Sequence, residues 1–250
     1  MSMTSNFNLS GYLRWNKIIV ALVFLMVSCS DDQVVDSTLP DSQKYFPLKQ
    51  GAWMIYQVDS TGYQTSNCQE QAVLLSYQLK EVVDSSFIDG TNEEAFRIMR
   101  YKRANASMPW QFINVWTAKL KNNSAERVED NIRFVKLSFP VDAKVTWDGN
   151  AYNPYDEESY RYGQINQPYD MNSLQFNETA EVIQYRLDDT LIFKINKTER
   201  YAKNVGMIDK IIDSTYNYIN CGQFLDTVTG ITRFRRSGIS FRQRLISYGN

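Results

Sequence analysis

Residues 73–83 read Val-Leu-Leu-Ser-Tyr-Gln-Leu-Lys-Glu-Val-Val, and within them Leu75, Tyr77 and Leu79 alternate with Ser76, Gln78 and Lys80. A period of two belongs to an extended strand with one dry face, because successive side chains of a strand point to opposite sides. The alternation returns at 239–245, where Ile239, Phe241 and Leu245 stand against Ser240, Arg242 and Arg244. In a third run Trp110, Phe112, Trp116 and Leu120 share one parity. Further runs at 52–58, 95–102, 132–139, 181–187, 191–201, 207–219 and 231–248 mix Val, Ile and Thr with aromatic residues, types that suit pleated, half-buried surfaces. Turn pairs stand between runs, as Asp89-Gly90, Asp148-Gly149, Thr229-Gly230 and Ser237-Gly238, whereas capped helical patterns are nearly missing. The expectation is an all-β, mainly antiparallel fold, a β-sandwich or open barrel, with one long Tyr-rich loop.

Ahead of these runs the chain has a different character. Arg14 and Lys17 flank an apolar stretch, Ile18 to Val27, which is too short to span a bilayer as a helix and fits the core of a signal peptide. Met26-Val27-Ser28-Cys29 resembles the bacterial lipobox, so residues 1–28 are expected to be removed and Cys29 to carry the acyl anchor. The polar stretch 29–44 then reads as an acidic tether, and 45–250 as a single β-rich domain. The implied partner is the lipid bilayer, reached through acylated Cys29. Ser30 behind the cysteine resembles outer-membrane sorting, and Asp31-Asp32 resembles a surface-export tag. An outer-membrane lipoprotein is therefore expected, on the periplasmic face or the cell surface, with the surface slightly preferred.

Composition narrows the chemistry. The 250 residues hold 27 Lys and Arg against 28 Asp and Glu, so no global field draws the chain to nucleic acid. There is no histidine, which excludes Ser-His-Asp, Cys-His and His-zinc chemistry at once. Neither an enzyme nor a cofactor is expected. With Cys29 acylated, Cys68 and Cys221 are the two cysteines left in an oxidising compartment, and a disulfide between them is expected.

Three groups of residues stand out as candidate sites. Residues 148–177 carry Tyr152, Tyr155, Tyr160, Tyr162 and Tyr169 among Asn, Gln and Asp, side chains that could stack on sugar rings and bond hydroxyls, or else pack over one end of the barrel. The acidic residues Asp148, Asp156, Glu157, Glu158 and Asp170 match no calcium-loop spacing, so no metal is expected. A turn at Ser237-Gly238 would lay Arg233 and Arg235 beside Arg242 and Arg244 to bind an anion, the alternative being a wet sheet face paired with neighbouring carboxylates. Asp188-Asp189 fits a hairpin turn, since adjacent strand residues face opposite ways.

Phe46-Pro47-Leu48 followed by Trp53 is echoed by Phe139-Pro140-Val141 followed by Trp147, with spacing that differs by one. The opening Tyr45-Phe46-Pro47-Leu48-x-x-Gly51-x-Trp53-x-x-Tyr56, the segment from Phe139-Pro140 to Trp147-x-Gly149-Asn150, and Tyr201 to Met207 resemble motifs of uncharacterised Bacteroidetes envelope lipoproteins. That resemblance implies an envelope location and a β-rich fold and brings no activity. Five Asp-Ser/Thr triplets resemble the acceptor motif of the Bacteroidetes O-glycosylation system, with Ser37, Ser60, Thr190, Ser214 and Thr227 as acceptors. The leading functional expectation is a non-enzymatic binding or interaction module for a glycan or an envelope protein. A carrier holding lipid or another apolar ligand in the barrel interior is the alternative, and a carboxylate-dependent hydrolase the third.

Overall fold

The computed structural model describes residues 40–171, 173–187 and 191–249; Cys29, Ser37, Thr190 and the Asp188-Asp189 pair lie outside the described residues. The strands are β1 (Trp53–Ser66), β2 (Gln69–Ile88), β3 (Glu94–Arg103), β4 (Gln111–Leu120), β5 (Ser124–Glu129), β6 (Ile132–Ser138), β7 (Thr146–Asp148), β8 (Ser159–Met171), β9 (Leu174–Leu187), β10 (Phe193–Ala202), β11 (Gly206–Asp226) and β12 (Ile231–Gly249). They make one antiparallel sheet in the order β6-β5-β4-β3-β2-β1-β12-β11-β10-β9-β8-β7. Two meanders of six strands, β1–β6 and β7–β12, are thus joined where β1 pairs with β12. The echoed Phe-Pro segments stand just ahead of β1 and β7, the first strand of each half.

The sheet curls until its two edge strands meet. Val135 N–H of β6 donates to Gly149 O at 3.0 Å, and Trp147 Nε1 donates to Val135 O at 2.9 Å. The Tyr162 hydroxyl donates to Ser138 O at 2.6 Å and accepts from Ser138 N at 3.2 Å. Aromatic side chains with a polar tip therefore seal a seam that a backbone ladder leaves open, and they satisfy edge groups that would otherwise recruit another strand. Gly149 is needed there, because a Cβ on it would lie 2.2 Å from the Tyr160 ring.

One end of this open barrel is plugged by the chain's own entry segment. Asp41–Tyr45 forms a short 3-10 helix, so the domain takes in residues that the sequence reads as the end of the tether. Tyr45 and Phe46 are buried, Phe46 packs on Tyr201 at 6.2 Å between ring centres, and Asn204 N donates to Lys44 O at 2.8 Å. The three motifs behind the family resemblance, which contain Tyr45, Phe46, Tyr56, Trp147, Tyr201 and Met207, are thus parts of one core.

At the other end β2, β1, β12 and β11 run on past their neighbours. β3 pairs with β2 only from Gln78 onward, and β10 pairs with β11 only as far as Tyr216. The four-stranded arm beyond is tied by a Cys68–Cys221 disulfide with 5.3 Å between Cα atoms. Glu70 adds two contacts to Arg233 at 2.8 Å each and accepts from Arg236 N at 2.7 Å.

Ser237-Gly238 lies inside β12, so the expected turn there is corrected to continuous strand. Gly238 has a φ of 128°, and a Cβ on it would meet Ser214 O at 2.0 Å. The glycine marks a close approach of two strands rather than a reversal.

Candidate functional site

The inner face of the barrel carries charge. By register Glu81 lies opposite Arg100 and Ala118 opposite Arg127, so these residues share the face of buried Tyr56 and Leu79. Glu81 Oε1 receives Arg100 Nε at 3.0 Å and its Oε2 receives Arg127 Nη2 at 2.6 Å. Arg127 Nε reaches Glu129 at 3.9 Å, and Lys136 Nζ lies 3.4 Å from Glu129 and 2.6 Å from Glu199. Lys210 Nζ stands 3.1 Å from Glu199, and the Tyr201 hydroxyl donates to the same carboxylate at 2.5 Å. Burial opposes each charge, yet the surrounding cations hold Glu81 and Glu199 below the ordinary carboxylate range and Glu129 at about 2. Burial likewise pushes the Tyr56 and Tyr201 hydroxyls up.

This network shares the interior with the apolar core that holds Tyr56, Leu79, Leu137 and Leu245. A cavity against this network on the inner face, lined by Phe46, Leu48, Met54, Glu81, Val83 and Arg127 among others, holds about 30 Å³, room for a single water. An acyl chain has no place in that space, and buried carboxylates and guanidinium groups make it a poor solvent for one.

The tyrosines foreseen as one loop divide between core and surface. Ser159–Met171 is strand β8, so the irregular part of the segment is 149–158. Tyr160 and Tyr162 are buried on the Trp147 ring, at 5.9 and 4.8 Å. The half-buried Tyr169 donates to Asp209 at 3.0 Å. None of these three faces solvent as a binding side chain would. Tyr152 and Tyr155 do, at 56% and 55% exposure.

The loop that presents them is held from beneath. Asp148 Oδ1 accepts from Asn150 N at 2.9 Å and Glu158 N at 3.1 Å. Asn150 Nδ2 donates to Asp156 O at 2.7 Å, Asn153 Nδ2 to Arg133 O at 2.8 Å, and Tyr155 N to Asn153 Oδ1 at 3.0 Å. Two tyrosines are thereby set on a pre-ordered turn, which lowers the entropy lost when something binds them.

The expected arginine ladder is the wet-face arrangement. Arg233 pairs with Glu70 and Asp226, Arg242 with Asp209 and Arg244 with Asp59, while Arg235 donates to Cys221 O. Of the residues expected as glycan acceptors, Ser60 lies within β1 and Ser214 within β11, each half-buried, and Thr227 is exposed in the β11–β12 turn.

Beside the tyrosine turn lies a polar hollow that the sequence reading missed. Thr117 pairs with Val128 and Lys119 with Glu126, so these four share the face opposite the ionic core. With Phe87, Asp89, Ala95 and Arg133 they line a cavity of about 170 Å³. Lys119 Nζ donates to Asp89 Oδ2 at 2.9 Å, Thr91 Oγ1 at 3.1 Å and Glu93 Oε2 at 2.5 Å. The Thr91 hydroxyl and then Lys119 hold Asp89 well below the usual carboxylate range, and Lys119 does the same for Glu93.

Glu126 is 1% exposed and neither of its carboxylate oxygens accepts a hydrogen bond. Its contacts are ion pairs, with Lys121 at 3.1 Å, Arg133 at 3.8 Å and Lys119 at 4.0 Å. Two contacts join hollow and turn: Lys121 Nζ lies 5.7 Å from the Tyr152 ring centre, and Arg133 carries the carbonyl that Asn153 holds. The strand that supplies Glu126, Ser124–Glu129, carries charge on both faces and was too polar to be recognised as one.

No family model matches this chain, and no curated protein matches it. Among solved structures it is similar to a candidate exported protein with a YmcC-like fold from Bacteroides fragilis, at 8% identity and a TM-score of 0.41, covering 82% of this chain and 98% of that one. It is also similar to a candidate lipoprotein from Parabacteroides distasonis, at 10% identity and a TM-score of 0.38, with the same coverage.

Proposed function

We propose that this chain is a lipoprotein of the bacterial outer membrane, anchored through acylated Cys29 and displayed preferentially at the surface, which works by binding and performs no chemistry. The address rests on the apolar stretch and the lipobox-like Met26-Val27-Ser28-Cys29. The mode of action rests on one observation: the interior is occupied by an apolar core and an ion-paired network, while two exposed tyrosines stand on a stapled turn beside a polar hollow. Aromatic faces beside carboxylate, guanidinium and hydroxyl groups suit a polyhydroxylated ligand, so a glycan is the favoured partner.

The occupied interior speaks against the apolar-ligand carrier, and the interior carboxylates Glu81, Glu129 and Glu199, each committed to cations, against a carboxylate hydrolase. A glycan array probed with the mature protein is expected to give hits that the Tyr152→Ala/Tyr155→Ala double variant loses by tenfold or more. Hits of equal strength with the variant would overturn the tyrosine platform as the site.

A further inference from the structure

The Glu126 carboxylate is enclosed, ionised groups surround it, and both of its oxygens lack a hydrogen bond. Arg133 faces the same cavity, and among the described residues its guanidinium has the 3.8 Å ion pair to Glu126 and no hydrogen bond. A buried polar group without a hydrogen bond costs of order 1–3 kcal/mol and more when charged, so such groups are normally satisfied by protein, water or ligand. The buried Glu126 therefore keeps accepting capacity, and the partly exposed Arg133 keeps donating capacity, on the wall of one hollow. We propose that this hollow seats one uncharged sugar ring, a terminal residue of the glycan whose neighbour lies on Tyr152; the assignment rests on the glycan reading above.

Three features select that class. The first is charge: Lys119, Lys121 and Arg133 stand against Asp89, Glu93 and Glu126, three cations to three carboxylates, so the site offers no net field to an ion. The second is hydrogen-bond type. Glu126 can only accept and Arg133 can only donate, and a hydroxyl serves both, so a vicinal diol donates to one and accepts from the other. The third is size: about 170 Å³ equals five to six waters at roughly 30 Å³ each, enough for one ring and too little for a chain. The apolar part of the wall, Phe87, Ala95 and Val128, suits the C–H faces of such a ring.

The test is a protein-observed NMR titration of the full mature chain with D-glucose, D-galactose and N-acetylglucosamine, and with D-glucuronate and L-alanine as charged and zwitterionic counterparts. At least one neutral pyranose is expected to saturate shifts at Thr117, Val128 and Arg133, and Glu126→Gln and Arg133→Gln each to weaken it about tenfold or more. Arg133 is partly exposed, with 35% of its side chain accessible, so its variant reports even where Glu126→Gln does not fold.

Saturation unchanged in both variants overturns the proposal. So does tighter binding of glucuronate or alanine than of any neutral sugar, or a sugar-soaked crystal holding only ordered water in the hollow. Glycan-array hits that depend on Tyr152 and Tyr155 but not on Glu126 or Arg133 would remove the ring site and leave the tyrosine platform standing. Loss of array binding in the tyrosine double variant, in Glu126→Gln and in Arg133→Gln supports both.

Discussion

Glu199 shows most clearly how single residues set the limits on this protein. Its carboxylate has no solvent access and binds Lys136, Lys210 and the Tyr201 hydroxyl together. Pairing does not make such a cluster strongly stabilising, since each ion has lost its water, but removing one partner leaves the others charged in a dry place. Glu199→Gln is expected to destabilise the fold by about 3–5 kcal/mol, seen as a lower urea midpoint with an unchanged slope. A midpoint that does not move would mean that the lysines find water or another anion. The sequence carries a hint of this interior. In residues 73–83 the parity of Tyr77 and Leu79 continues to Glu81, a charge on what should be the dry face. Alone it reads as the end of the strand, because its partners Arg100 and Arg127 lie 19 and 46 residues away.

Among the elements, strands declare themselves when one face is apolar and hide when neither is. The runs at 73–83, 95–102 and 207–219 fall inside β2, β3 and β11. β5 was not legible, since Ser124–Glu129 alternates Arg127 and Glu129 inward with Glu126 outward. Parity also fails across a bulge: Phe112 pairs with Tyr101 and Trp116 with Ile98, and the register shift between them puts the two aromatics on opposite faces. The arm of β1, β2, β11 and β12 holds the Cys68–Cys221 bridge, whose cysteines are 153 residues apart. Closing so long a loop restricts the unfolded chain by about 5 kcal/mol in the chain-entropy account. The Cys68→Ser/Cys221→Ser double variant is expected to melt at a lower temperature than the parent, and the unfolded, unreduced parent to show no thiol at these two positions by labelling. Equal melting would mean that the arm opens separately from the barrel.

For the whole molecule the ionic interior predicts a defined pH range. Glu129, held at about 2 against 4.5 for the free side chain, together with the lowered Glu81 and Glu199, binds protons later in the folded chain than in the unfolded one. Their contribution is therefore complete above pH 4.5 and is lost as pH falls from there towards 2. At the alkaline side buried Tyr56, Tyr160, Tyr162 and Tyr201 keep their protons while the unfolded chain releases them near pH 10, so stability falls again above that value. Urea midpoints measured from pH 2 to 11 should form a plateau between about 5 and 9. A flat profile down to pH 2.5 would contradict the network's ionised state.

Strand content, the antiparallel class and the hairpin at Thr229-Gly230 were determined by the sequence itself, because a period of two and the backbone freedom of turn residues are local properties. Tertiary structure alone decided that the sheet closes, since its seam depends on Trp147 and Tyr162 reaching strand β6. It alone decided that Tyr152 and Tyr155 face solvent while Tyr160 and Tyr162 support the core. The hollow of Glu126 and Arg133 likewise exists only once β2 to β6 lie side by side. Burial and charge pairing are set by residues distant in the chain, and no local pattern records which neighbours a folded sheet will supply.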